Sequence, residues 1–538
     1  MHDRPSDTRR RGIRWWPAAI VLVLFASWLA WVWFPESRHR QDQIVSTVLG
    51  ALVTGLALLV WLMLLSRLRW KLRLAVFGGL VALLVTLGLT LEFRGVSGDT
   101  LPDLEWRWSR APGNLPPAEV RADAPRPART TSAHDYPQFL GPDRDGRLSG
   151  PRLARDWSAS PPRPLWRQPI GAGWSGFAVV GDHAVTLEQR GEEELVSCYG
   201  LKTGELIWVH ADRARFYDPI GGLGPRATPA IDGLRVYTLG GTGILNALDL
   251  ETGERLWSRN ILEDNGAGVP VYGVSGSPLV IGGTVVVAAG GSGGNSLAAY
   301  DGASGERVWS GGSDPAAYSS PLLAELAGMR QILLLNEANV VGHEAGSGRV
   351  LWSYPWRGQT ERVSQPVVLP GDRVFVSSGY GVGGKLFRIR REPGSDPTVE
   401  LLWESRGLKA KMTTVVHRDG FLYGLDDGIL VCLDVEDGKR RWKRGRYGHG
   451  QVILVDDLIL VLGEDGTVAL VEAGPEAYRE LGRFSALEGK TWGHPALAGR
   501  YLLVRNDREA ACYELPLEAS SATREIGEAW ARRKRKSE

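Results

Sequence analysis

The sequence predicts an all-β, eight-bladed β-propeller of the repeat type, preceded by three transmembrane α-helices. Three observations carry this prediction. A short pattern ending in Gly-x-x-x-aromatic returns along most of the chain. Glycine and tryptophan are both abundant, with 68 Gly and 21 Trp in 538 residues, so Gly makes up about an eighth of the chain against a usual ~7%. Three long apolar runs lie near the N-terminus. Hydrophobic residues make up 43% of the chain, which excludes a disordered polypeptide. The net charge of 63 − 61 = +2 supplies no global basic field, so nucleic acid is not an expected partner.

The apolar runs define residues 1–94 as a membrane anchor. Its helices are expected at about 15–34, 44–65 and 74–91, each long enough to cross ~30 Å of hydrocarbon. A signal peptide would account for the first run alone. Cations set the orientation. Arg4, Arg9, Arg10, Arg11 and Arg14 precede the first run, and only Arg38 and Arg40 follow it. Arg67, Arg69, Lys71 and Arg73 lie between the second and third, and Arg94 alone follows the third. This alternation places the C-terminal part outside the cytoplasm, which in a bacterium is the periplasmic side of the inner membrane. No ionisable residue lies inside a span, so an anchor is expected rather than a transport pathway. Residues 95–134 read as a Pro-rich linker, with Pro102, Pro112, Pro116, Pro117, Pro125 and Pro127.

The repeat is clearest in Ala247–Trp257, Ala299–Trp309 and Cys432–Trp442. Each copy reads as an apolar strand, a turn Asp-x-x-Thr/Ser-Gly (Asp437 in place of Thr/Ser in the third copy) and a second strand carrying an aromatic four residues after the Gly. The Asp and Thr/Ser side chains can bond turn amides, and Gly accepts positive φ. The aromatic is wide enough to wedge between neighbouring sheets. Such anchors fall at Trp166, Trp208, Trp257, Trp309, Trp352, Trp403, Trp442 and Phe484, spaced 39 to 52 residues apart. Four strands per ~40–50 residues is the propeller signature. Eight anchors predict eight blades within residues 135–517. Trp166 has no three strands before it, so the strand near Leu165–Pro169 is expected to complete the C-terminal blade. Residues 518–538 form a basic tail carrying Arg532, Arg533, Lys534, Arg535 and Lys536, expected to be solvated.

The Ala-x-Asp-x-x-Thr-Gly-x-x-x-Trp pattern resembles the pyrroloquinoline-quinone (PQQ) repeat. That repeat occurs in quinoprotein alcohol dehydrogenases and in BamB-type envelope lipoproteins. The segment Tyr136–Gly146 is similar to the opening of bacterial PQQ-like propeller proteins. The resemblance covers roughly 136–515 and implies the fold. Two departures bear on function. The dehydrogenases commonly carry a vicinal Cys pair and Glu/Asn/Asp calcium ligands, and here Cys198, Cys432 and Cys512 are far apart in sequence. BamB-type lipoproteins carry a lipidated N-terminal Cys, a role the three helices take here. No catalytic residue is carried over.

In a propeller, functional groups gather where each blade begins its innermost strand. The candidate ligand-binding residues at this channel mouth are Trp174, Arg226, Tyr272, Tyr318, Arg362, Gln365, Lys411, His449, Trp492 and His494. Eight lead-in segments hold these residues and no Asp or Glu. They predict a basic, aromatic-rimmed funnel suited to an anionic planar ligand or a carboxylate-bearing peptide. His449 and His494 lack a third ligand at metal-binding spacing, so no metal site is expected. No nucleophile triad, HExxH or phosphate-binding loop is visible.

Two function classes follow. The first is a membrane-anchored extracytoplasmic binding or scaffold module for envelope proteins, peptides or an anionic ligand, without a cofactor. The second is a PQQ-dependent membrane dehydrogenase of alcohols or sugars. The missing Cys pair and calcium ligands favour the first.

Overall fold

The computed structural model describes residues 13–34, 40–109, 115–116, 118, 120, 132–358 and 361–518. The N-terminal arginines at 4 and 9–11, Arg38, most linker prolines and the basic tail lie outside the described residues. The chain divides into two compact units, residues 1–109 and 110–538.

The first unit holds three helices long and apolar enough to cross a membrane. They are α1 (Trp16–Trp33), α2 (Arg40–Val60, continued by a π-helical turn Trp61–Leu65) and α3 (Trp70–Thr90). α2 and α3 begin four residues before the apolar runs, because the polar residues ahead of each run carry on the same helix. α1 and α2 meet at Gly50, where a Cβ would lie 2.7 Å from the Trp28 indole. A hairpin follows, pairing Leu91–Val96 with Pro102–Trp106. This corrects the start of the expected linker: Pro102 is tolerated because it opens its strand, and the turn at 97–100 closes the pair.

The second unit contains eight blades of four antiparallel strands, with a short fifth strand added in parallel to blade 7. Blades 1 to 7 run in order over residues 178–212, 230–260, 279–311, 322–355, 367–405, 416–446 and 451–485. Blade 8 joins Ala496–Ala498, Tyr501–Arg505 and Glu509–Glu514 to an outermost strand from before blade 1, Arg163–Pro169. The ring therefore closes with the strand expected from the sequence. The core is distributed: eight hydrophobic clusters occur, each spanning two neighbouring blades.

The turn before each outermost strand follows its sequence. Asp249 accepts from the Glu251 and Thr252 amides at 2.9 Å and from the Thr252 hydroxyl at 3.1 Å. Asp301 does the same with Ala303 and Ser304. Gly253 (φ +72°) is needed twice over. Its backbone is left-handed, and a Cβ would lie 2.5 Å from the Trp208 ring of the preceding blade. The Trp208 indole N–H then donates to the Leu250 carbonyl at 2.8 Å. Trp166, Trp257, Trp403 and Trp442 donate likewise, to Leu201, Gly302, Val435 and Gly474. Trp309 lies over Gly348. Trp352 differs: it stands over Gly342 and donates to Gln331 of its own blade at 2.6 Å. Blade 5 has Arg391–Pro397 in place of the Asp-x-x-Thr-Gly turn, so the usual receptor for that indole is missing.

Candidate functional site

The lead-in segments share one register. The fourth residue before the innermost strand is Trp174 in blade 1, Arg226 in blade 2, Tyr318 in blade 4 and Trp492 in blade 8. The second residue before it is Thr228, Ser277, Ser320, Gln365, His449 or His494 in blades 2, 3, 4, 5, 7 and 8. Several of these second residues stitch neighbouring blades together. Thr228 accepts from the Gly176 amide at 3.2 Å. Ser277 accepts from Thr228, and Ser320 from Ser277, each at 2.9 Å. Gln365 pairs its amide with both the N–H and the C=O of Ser320 at 2.7 Å. Further round, the Gln451 amide donates to the Met412 and Trp492 carbonyls. Gln365 is therefore engaged in binding its neighbouring blade. The belt fixes the mouth's diameter from short polar side chains.

The ten candidate residues separate into groups. Trp174 and Trp492 lie together at 5.1 Å, with the Lys490 ammonium 5.5 and 4.9 Å from their ring centres. Trp174 donates to the Gly221 carbonyl at 2.7 Å, and Trp492 to the Glu464 carboxylate at 3.0 Å. That carboxylate also accepts the His449 amide at 2.9 Å. His494 meets Phe139 edge-on at 4.8 Å, and burial pushes its imidazole down to about 3. Across the mouth, Tyr272 and Tyr318 pack edge to face at 5.5 Å. Burial raises both phenols, Tyr272 to about 12, and the Glu361 carboxylate adds to the rise at Tyr272, Tyr318 and Tyr380. The Lys411 ammonium lies 4.5 Å from the Tyr380 ring centre.

The two arginines expected to recognise anions are bonded to their own loops. Arg226 donates to the Gly224 and Gly222 carbonyls and lies over Phe216, and burial lowers it to about 10. Arg362 donates to the Trp356 and Gly358 carbonyls. Carboxylates also reach this face. Glu464 comes from the hairpin between the second and third strands of blade 7, Glu194 from the start of the third strand of blade 1 beside the equivalent hairpin, and Asp218 from the loop before blade 2. Lead-in sequences alone could not reveal them, because in an antiparallel blade those hairpins share the same end. Burial pushes the Glu194 carboxyl up to about 7; Asp212 adds to this, and the Gly241 amide and Arg226 oppose it.

Ring closure uses a further group that the sequence reading missed. Arg505, fully buried in blade 8, donates to Thr186 and Leu187 of blade 1 and to the Gly171 and Gly173 carbonyls, at 2.6 to 3.1 Å. Its only sequence signal is a cation ending an apolar strand, Tyr501–Arg505.

Among the described residues, no group of three His, Cys, Asp or Glu could hold a metal. Cys198, Cys432 and Cys512 are buried in third strands of blades 1, 6 and 8. Trp174 and Trp492 tilt at 50° and do not form parallel walls.

The blades, their turns and their tryptophan wedges define a closed PQQ-repeat propeller. The family model described as outer membrane protein assembly factor BamB matches residues 149–289 and 192–444, over half of the chain, and the chain belongs to that family. It is similar to outer membrane protein assembly factor BamB of Burkholderia pseudomallei, 26% identical over 294 residues, which cover 52% of this chain and 70% of the relative. The BamB of Yersinia pestis is 25% identical over 291 residues, covering 47% and 67%. In structure it resembles quinohemoprotein alcohol dehydrogenase from Comamonas testosteroni, with TM-score 0.53 and 14% identity over 74% of this chain and 82% of the other. At that identity the likeness is one of fold.

Proposed function

We propose that the chain is a membrane-anchored scaffold whose propeller, outside the cytoplasm, holds envelope proteins by its mouth face. The family description and both relatives, named as outer membrane assembly factors, support a protein-binding role. Three apolar helices support the anchor. The observation that carries the reading is an apolar rim. Tyr217, Ile220, Val269 and Val271 are 55%, 47%, 53% and 70% exposed, on two successive mouth-face loops. Those loops touch, because a Cβ on Gly221 would lie 3.1 Å from Tyr272. Clustered exposed apolar groups on a rigid disc suit a protein partner. The loop-bonded Arg226 and Arg362 make a small anionic ligand the weaker reading.

The test is site-specific photo-crosslinking in cells. A photoreactive residue at Val271 or Ile220 should yield discrete adducts with one or a few envelope proteins. The same residue at Ala303, on the opposite end of blade 3, should yield none of them. Identical adducts from both ends, or none from the mouth, would overturn the proposal.

A further inference from the structure

The innermost strand of a propeller blade has one edge paired with the second strand. Its other edge faces the axis, with N–H and C=O groups that need partners. In blades 1, 2 and 7 those partners come from the chain ahead of the propeller. Tyr136 exchanges both backbone bonds with Val179, at 2.9 and 2.7 Å. Ile231 donates to the Pro137 carbonyl, and Leu454 to that of Gly146, both at 2.8 Å. Arg147–Leu148 then runs parallel to the innermost strand of blade 7.

Between these strand contacts the segment coils upon itself. Gly146 donates to the Leu140 carbonyl at 3.1 Å, and Leu140 is 1% exposed. From the coil two side chains reach the lead-in ends of other blades. Phe139 meets His494 of blade 8, and Arg144 donates to the Ser277 and Pro278 carbonyls of blade 3 at 3.1 and 2.8 Å. A Cβ on Gly146 would lie 3.1 Å from Val416 in blade 6. A segment this short can touch blades on opposite sides of the ring only by lying on its axis. Its two ends sit at the turns that follow the innermost strands, where Gly181 donates to the Asp135 carboxylate and Asp456 to the Leu148 carbonyl. That is the end opposite the mouth.

We infer that residues 135–148 are a built-in plug: a strand ligand held in cis that closes the far end of the channel and occupies the axial edges of blades 1, 2 and 7. The channel is then a one-ended socket. A ligand enters and leaves by the mouth alone, and a partner strand cannot add to those edges while the plug is seated. The inference rests on the segment's own contacts and is independent of what binds at the mouth.

Hydrogen exchange on the full-length protein in detergent tests it. The reporters are the Val179, Ile231 and Leu454 amides, and the references are third-strand amides such as Leu248 and Cys432. The double variant Phe139→Ala/Arg144→Ala removes the two side chains that reach furthest. The three reporters should then exchange at least about tenfold faster while the references hold, the behaviour of a local opening. Gly146→Val is the second variant, for the case that the first does not fold. It leaves both side chains in place and drives a branched side chain against Val416 at a left-handed position (φ +71°), and it should release Leu454. Unchanged reporters in the variant that folds would overturn the plug. So would equal acceleration of reporters and references, because the segment would then be an inseparable part of the ring.

Discussion

The two ends of the propeller are built by different rules. At the end carrying the Asp-x-x-Thr-Gly turns, one device is repeated: a carboxylate gathers the turn, a left-handed glycine clears space, and the preceding blade's indole lies in that space. At the mouth, each blade presents something different. Trp174, Arg226, Tyr318 and Trp492 share one register position, and each makes a different hydrogen bond. Repetition assembles the ring; variation leaves a surface that a partner can tell apart. The mouth nevertheless carries structure of its own, and the largest predicted effect lies there.

Arg505→Met should be the most damaging single change at either end. It leaves the Leu187, Gly171 and Gly173 carbonyls without their buried donor and takes a cation away from Glu188. A loss of about 3–5 kcal/mol is expected from removing one member of a buried charged network. Urea unfolding of the full chain measures it. A loss below about 1 kcal/mol would show that strand Arg163–Pro169 closes the ring without help.

Next in size is a glycine comparison within the turn end. Gly253→Ala combines left-handed strain with a collision against Trp208, and should lose about 2–4 kcal/mol. Gly394 also has positive φ, +81°, but nothing lies within 4 Å of its Cβ position. It sits in the loop of blade 5 that lacks the turn. Gly394→Ala should therefore lose only the strain, about 1–2 kcal/mol. Equal losses in thermal unfolding would mean that the indole makes room, and the turn end would be less rigid than its contacts show.

The sequence showed the turn end more fully than the mouth, and the reason is physical. A wedge between blades depends on residues next to each other in the chain, so its spacing is written there. Blade number and ring closure followed from it. The exception, Trp352, is traceable to the missing turn at Arg391–Pro397. The mouth is assembled from loops far apart in sequence. The lead-ins show Trp174 and Trp492, and Lys490 lies two residues before Trp492, but Glu464, which accepts the Trp492 N–H, comes from a hairpin of blade 7. The motif Tyr136–Gly146 was visible as a resemblance. Its place on the axis was not, because its partners lie on blades 1, 2, 3, 6, 7 and 8.

A smaller effect depends on pH. The Glu194 carboxyl is raised from 4.5 to about 7, so the folded state holds a proton that the unfolded chain has released across that interval. Stability should fall as pH rises through it. Glu194→Gln should flatten this fall and be worth more at pH 8 than at pH 5, read from urea midpoints. A wild-type stability that rises with pH, with the same slope in the variant, would show that Glu194 is ionised in the fold. Because Glu194 accepts the Gly241 amide beside the blade 2 lead-in, the variant also shows whether that sector of the mouth follows its protonation.

The smallest effect isolates what burial does to a cation at the mouth. Lys490 and Arg505 both belong to the blade 8 sector, and methionine can replace either with some of the apolar stem kept. Arg505 is sealed and bonded to backbone carbonyls. Lys490 is partly exposed over two indoles. A cation over an aromatic at such a site is worth about 0.5–1 kcal/mol. Lys490→Met should lose no more than that, and the difference from wild type should shrink in high salt. A loss near that of Arg505→Met, insensitive to salt, would mean that the lysine is part of the ring's closure and not a side chain standing on the surface that a partner meets.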